Sequence, residues 1–157
     1  MEERFICDRN LGKLAKWLRI LGYDTLYCRG NADRDFLRKA DREGRICLTR
    51  KRVFAQRRHS GRLVVIEADR VEGQIGEVVM VLSLTPDPSR RMSLCLRCNA
   101  PLKEVAREAV EGLVPVHVYE NYVKFRRCSQ CRRVYWPGTH RLHIEDCLRM
   151  RIPSGRP

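Results

Sequence analysis

The chain has 157 residues, 43% of them apolar, which is enough for one ordinary domain or for a domain plus a small module that needs a staple. Its 32 Lys and Arg against 19 Asp and Glu leave a formal net charge of +13, a sign and size that favour a polyanionic partner, chiefly nucleic acid. The longest apolar stretch, around Val78 to Leu84, is far too short to span a bilayer, and the start Met1-Glu-Glu-Arg4 has no basic segment followed by an apolar one. The expectation is therefore a cytoplasmic protein with no membrane partner, in which eight cysteines mean reduced thiols and metal rather than a disulfide framework.

Phe5-Ile6-Cys7 is an apolar run too brief for a helix and suited to a strand buried on both faces. It ends on Asp8. Leu11, Leu14, Leu18 and Leu21 then recur at helical spacing with Lys13, Lys16 and Arg19 between them, and Gly22 stops the helix. Thr25 to Cys28 reads as a second strand, and Asp33 caps a helix that Gly44 ends. Ile46-Cys47-Leu48 is a third strand, followed by Thr49-Arg50-Lys51-Arg52 and a short basic helix through about Arg58. Leu63 to Ile66 is a fourth strand, and Ile75 to Leu84 a further helix. This alternation predicts an α/β fold with a parallel sheet and right-handed crossovers. Thr85-Pro-Asp-Pro-Ser89 marks a boundary, dividing the chain into 1–88 and 89–157.

A parallel sheet gathers the strand ends at one edge. Asp8, Asp33 with Asp35, Thr49 to Lys51, and Glu67 with Asp69 all fall there, whereas Asp24 precedes the second strand and falls at the opposite edge. A carboxylate cluster at such an edge would take Mg²⁺ or Mn²⁺, hard cations that can activate water and neutralise a phosphodiester under attack. Each residue also has a plainer role. Asp8, with Asn10, and Asp33 serve as helix caps, Asp35 complements the positive helix end, and Glu67 and Asp69 belong to an exposed loop.

Cys95-Leu-Arg-Cys98 and Cys128-Ser-Gln-Cys131 are two tight turns that can complete a closed tetrahedral Zn²⁺ site, structural because no position is left for water. Redox-active pairs are the rival reading. Cys7, Cys47 and Cys28 sit in or beside apolar strands as small hydrophobes, and Cys147 with His140 and His143 forms a weaker candidate for a second metal. Arg126, Arg127, Arg132 and Arg133 flank the second turn as candidate RNA contacts. Tyr135 and Trp136 either stack bases or pack the module's small core.

The run Ile6-Cys7-Asp8-Arg9-Asn10-Leu11-Gly12-Lys13-Leu14-Ala15, with Trp17-Leu18-Arg19, Leu21-Gly22-Tyr23-Asp24, Gly44-Arg45-Ile46-Cys47-Leu48-Thr49-Arg50, both cysteine pairs and Val134-Tyr135-Trp136-Pro137-Gly138-Thr139-His140, resembles the mut-seven C-terminal RNase domain family. The resemblance implies a PIN-like nuclease domain with an appended zinc ribbon and divalent-metal cleavage of RNA. It matches Asp8 to the first acidic position and Asp33 or Asp35 to the second. Where the family usually carries Asp after Leu-Thr-Arg, this chain carries Lys51, whose ammonium would repel a cation and removes a ligand oxygen. Two functions follow as expectations. The first is a metal-dependent ribonuclease with Asp8 and Asp35 as metal ligands and Asp33 in support. The second is an RNA-binding protein with a degenerate, non-catalytic site.

Overall fold

The computed structural model describes residues 2–31, 33–56 and 60–138. The chain forms two compact units, Met1–Asn99 and a second beginning at Ala100. In the first, β1 (Phe5–Cys7), β2 (Thr25–Tyr27), β3 (Ile46–Thr49) and β4 (Leu63–Val65) make one sheet of order β2-β1-β3-β4, with every pair parallel. Helices α1 (Gly12–Ile20), α2 (Arg34–Glu43) and α3 (Val71–Val81) are the crossovers and cover. The α/β parallel sheet expected from the alternation is what forms.

Burial explains the strand sequences. Phe5, Ile6 and Cys7 are all within 1% of full burial, because β1 is an inner strand with cover on both faces. Successive side chains go to opposite faces. Ile6 and Cys47 pack with Phe36, Leu37 and Ala40 of α2 and with Phe54, while Phe5 meets the Tyr23 ring edge-on with centroids 5.6 Å apart. Burial pushes the Cys47 thiol up to about 12, and it raises Cys7 as well, with the Asp8 charge adding to the effect. Both therefore act as apolar fillers rather than nucleophiles.

The helix ends follow their sequence signals. Asp33 accepts from the backbone N–H groups of Asp35 (3.0 Å) and Phe36 (3.2 Å), and Gly44 closes α2 in the left-handed conformation, φ +60°. The third helix differs from expectation: it starts at Val71, four residues before Ile75, and gives way to a turn at Ser83, φ +50°. Gly73 and Gly76 conceal its first turns in the sequence, but there Gln74 Nε2 donates to Ala68 O and the Glu77 carboxylate accepts from Glu67 N and Ala68 N. These tertiary bonds outweigh the poor helix propensity of glycine. The expected basic helix after β3 is a short 3-10 turn, Arg52–Gln56; residues 57–59 lie outside those described.

At the amino edge of the sheet, Arg45 donates to both Asp24 oxygens (2.7 and 3.2 Å) and to Glu43 (2.7 Å), and Asn99 donates to Asp24 at 2.6 Å. Burial alone would raise the Asp24 pKa, but the Arg45 and Asn99 hydrogen bonds outweigh it and hold the carboxyl below its usual range. Asp24 is thus a structural anchor, consistent with its exclusion from the candidate site. Arg19, itself buried, donates to Thr25 O and Leu96 O, so the segment carrying Cys95 and Cys98 is tied to the sheet unit.

In the second unit β5 (Leu102–Val105), β6 (Phe125–Cys128) and β7 (Val134–Tyr135) form an antiparallel sheet, with α4 (Val116–Asn121) between β5 and β6 in sequence. Its core is Val110, Val118 and Phe125, against which Trp136 and Tyr119 pack. Trp136 thus fills the module's core, one of the two roles expected for it. Among the described residues no helix is long and apolar enough to cross a membrane.

Candidate active site and metal centre

Asp8 stands where the strand order reverses: the chain leaves β1 for β2 on one side, then crosses to β3 on the other. In open parallel sheets that crevice, at the carboxyl ends, is where ligands bind. The β1–β3 register pairs Cys7 with Leu48, so the next residues, Asp8 and Thr49, fall side by side. Both are fully buried. Asp8 Oδ2 accepts from Thr49 Oγ1 at 2.7 Å and from Arg50 N at 2.9 Å, and Oδ1 accepts from Asn10 N at 2.8 Å. Asp8 caps the turn that opens α1, as its plainer reading had it, and it also joins the ends of two strands. Sequence order places Thr49 at this edge but does not assign it to Asp8; the signal for that pairing is a hydroxyl residue just beyond an inner apolar strand, in register with a strand-end Asp.

The other carboxylates of this edge are spread out. Asp33 is exposed and engaged as the α2 cap, and the Asp35 side chain is 84% exposed, 3.4 Å from Arg38. Glu67 pairs with Arg52 at 2.6 Å, and Asp69 with Arg50 at 2.8 Å. Arg50 further donates to the carbonyls of Glu67 and Ala68, fastening the loop after β4 to the end of β3. Lys51 donates its backbone N–H to Thr49 Oγ1 at 3.0 Å, and its ammonium lies 5.7 Å from the Phe54 ring centroid, within cation–π range. Asp8, Asp33 and Asp35 are not gathered into a three-ligand group. Asp8 is the buried carboxylate of this edge, and its Oδ1 carries one hydrogen bond; one carboxylate together with waters and substrate phosphates is the kind of oxygen shell that Mg²⁺ takes.

The cysteines do converge. Sγ atoms of Cys95, Cys98, Cys128 and Cys131 all lie within 4.8 Å of one another, the one such group of three or more His, Cys, Asp or Glu among the described residues. Each pair sits on the same kind of turn. Asn99 N donates to Cys95 O at 2.8 Å and Arg132 N to Cys128 O at 3.0 Å, with Asn99 (φ +62°) and Arg132 (φ +60°) both left-handed. Four thiol ligands at this spacing suit a tetrahedral Zn²⁺, for which zinc–sulfur bonds of about 2.3 Å are usual. Four sulfurs fill its coordination and leave none for catalysis. His140, His143 and Cys147 lie outside the described residues.

A family model described as Mut7-C RNAse domain matches residues 3–148. The chain belongs to this family. Mut7-C membership points to a nuclease-like function and implies RNA as substrate or partner. No curated protein and no solved structure matches the chain.

The four arginines that flank the second cysteine turn of this Mut7-C chain do not share one surface. Arg126 and Arg127 are consecutive in β6, so their side chains leave opposite faces. Arg126 approaches Glu104 at 3.6 Å, and Arg127 Nε donates to Arg132 O at 3.0 Å. Arg132 and Arg133 are exposed at the turn.

Proposed function

We propose that this chain hydrolyses RNA phosphodiester bonds at the carboxyl edge of its parallel sheet, with Mg²⁺ or Mn²⁺ as cofactor and Asp8 as the fixed ligand. The observation that carries this reading is a buried carboxylate at the point where strand order reverses, in a chain of an RNase-domain family. Asp33 and Asp35 are the exposed carboxylates at the same edge assigned to complete the ion's shell when substrate is present. A bound divalent ion would supply Lewis-acid neutralisation of the phosphodiester and a water of lowered pKa. The chain's own residues supply position. Thr49 and Arg50 N hold Oδ2 of Asp8, Asn10 N holds Oδ1, and the Arg50 guanidinium is kept on the loop after β4.

The cysteine quartet is assigned a structural Zn²⁺, and its thiols fit a reducing compartment such as the cytoplasm. In functional terms we divide the chain into a PIN-like nuclease part, 1–88, and a zinc ribbon with its basic tail, 89–157. Arg126, Arg127, Arg132 and Arg133 are assigned to RNA binding, with Arg132 and Arg133 exposed at the turn and Arg126 and Arg127 half-buried in β6.

A second reading has its own support: an RNA-binding protein that does not cut. Asp8 already accepts three hydrogen bonds, and Arg50 and Lys51 follow directly on its partner Thr49. The deciding experiment incubates purified protein with labelled single-stranded RNA in Mn²⁺, in Mg²⁺ and with neither. Cleavage that needs the ion and disappears in Asp8→Asn supports the enzyme; RNA retained intact under every condition supports the binder.

A further inference from the structure

Beside the Asp8 turn lies an open cleft of about 700 Å³, between the start of α1 and the start of α3. That is within the range of roughly 300–1,000 Å³ usual for small-ligand sites. Its walls carry Arg9, Lys13 and Arg70, with Asn10 and Tyr27 between them. All three cations are exposed, and among the described residues no ion pair is made to any of them. The Arg9 guanidinium donates to the neutral Asn31 Oδ1, at 3.2 Å. Of the two acids in the wall, Asp69 is matched by Arg50 at 2.8 Å, which leaves Glu72 against three positive charges.

The cleft is built rather than incidental. Tyr27 reaches from the end of β2 to donate its hydroxyl to Arg9 O at 2.8 Å, and its ring closes on Gly12 so tightly that a Cβ there would lie 3.2 Å from Cζ. The turn that carries Arg9 and Asn10 into the cleft starts at Asp8, whose carboxylate fixes it through Asn10 N. A polyanion seated on Arg9 would therefore lie one residue from the candidate catalytic carboxylate. By contrast the arginines of β6 face opposite ways and offer no single track.

We infer that this cleft is the seat of the RNA backbone, with Arg9, Lys13 and Arg70 contacting consecutive phosphates of a single strand. The inference rests on the proposed action on RNA and names the sheet unit, rather than the cysteine module, as its principal grip. Arg70, at the residue before α3, grips the strand from the opposite wall to Arg9 and Lys13. Tyr27 and Gly12 are positioning residues that keep the Arg9 turn in place.

The test is salt-dependent binding of a labelled oligouridylate to the full, zinc-loaded chain, without added divalent ion. For single strands the slope of log K against log salt is about −0.7 per phosphate contact, so Arg9→Gln/Lys13→Gln/Arg70→Gln should flatten the slope by about 2. Affinity at low salt should fall by at least tenfold. Glu72→Lys removes the unmatched acid and adds a cation, so it should tighten binding severalfold and steepen the slope. Because this is a gain, misfolding cannot imitate it, and it decides the matter alone if the triple variant does not fold. Unchanged slopes in both variants would overturn the inference, even where Asp8-dependent cleavage is intact. Should no preparation cleave RNA, the slope changes would still establish the cleft as the binding site.

Discussion

Replacing Thr49 by Val tests whether the Asp8 carboxylate is held by the end of β3. The substitution keeps the shape of the side chain and deletes one hydroxyl at a fully buried position, where water cannot take its place. Two bonds are lost: the 2.7 Å donation to Asp8 Oδ2 and the 3.0 Å acceptance from Lys51 N. The first, to a charged group, is worth about 1.5–3 kcal/mol and the second about 0.5–1.5 kcal/mol, so the expected loss is about 2–4 kcal/mol. With a urea dependence of about 2 kcal/mol per molar, the unfolding midpoint should drop by about 1–2 M. Trp17 in α1 reports on the sheet unit if Trp136 is first changed to Phe, since the chain has only these two tryptophans. Thr49→Ser keeps the hydroxyl and loses one buried methyl, about 0.8 kcal/mol, and should restore most of the midpoint. A Thr49→Val midpoint equal to that of the parent, or a Thr49→Ser variant as unstable as Thr49→Val, would refute the argument that this hydrogen bond fixes Asp8.

Lys51→Asp returns an acidic group to the residue after Leu48-Thr49-Arg50 and should tighten Mn²⁺ binding and raise RNA cleavage, with Lys51→Ala intermediate. A wild type that cuts well and a Lys51→Asp variant that cuts no better would instead make Lys51 a contact for substrate phosphate. Asp24, whose carboxyl is held below its usual range, contributes stability that is full above the unfolded-state pKa of about 3.9 and is lost as pH falls through the lower folded value. Asp24→Asn should therefore lower stability at neutral pH and flatten its fall below about pH 4, read as urea midpoints against pH. Gly22 has φ +92°, and a Cβ there would meet Arg90 O at 2.6 Å, whereas at Gly44 the nearest atom is Arg4 Nη2 at 3.6 Å. Thermal melts should accordingly show Gly22→Ala well below Gly44→Ala, although both are left-handed. Elemental analysis should find about one zinc per chain, and Cys98→Ser should lose it and unfold the ribbon while the Trp17 signal of the sheet unit persists; zinc-free wild-type protein, purified without chelator, would contradict this.

The parts legible in the sequence are those written in short-range patterns. Apolar runs of three or four residues gave the inner strands, leucines at helical spacing gave α1, and Asp33 with Gly44 bounded α2 because a cap and a left-handed closure depend on only a few neighbours. The cysteine turns were legible for the same reason, each pair needing one tight turn. What stayed hidden depends on contacts between distant segments. The first turns of α3 read as loop because two glycines interrupt the pattern, and only the bonds from Gln74 and Glu77 to the loop after β4 explain why they are helical.

The acidic edge shows the limit most clearly. Sharing the carboxyl end of a sheet is a topological fact, and sequence order suffices for it. Sharing an ion requires oxygens within a few ångströms, which depends on where each loop turns and what each carboxylate already binds. Asp8 lies at the inner crevice because β1 is central; Asp33 and Asp35 follow an edge strand and begin a helix, where their first obligation is to backbone N–H groups and to Arg38. Glu67 and Asp69 follow the opposite edge strand and are held by Arg52 and Arg50. The same basic residues that occupy those acids leave Arg9, Lys13 and Arg70 without an acidic partner among the described residues, so the surface beside Asp8 invites a polyanion, while the role proposed for Asp8 calls for a cation. An RNA phosphate that arrives with its own divalent ion satisfies both demands at once, since Mg²⁺ is commonly held by one or two carboxylates together with substrate phosphates.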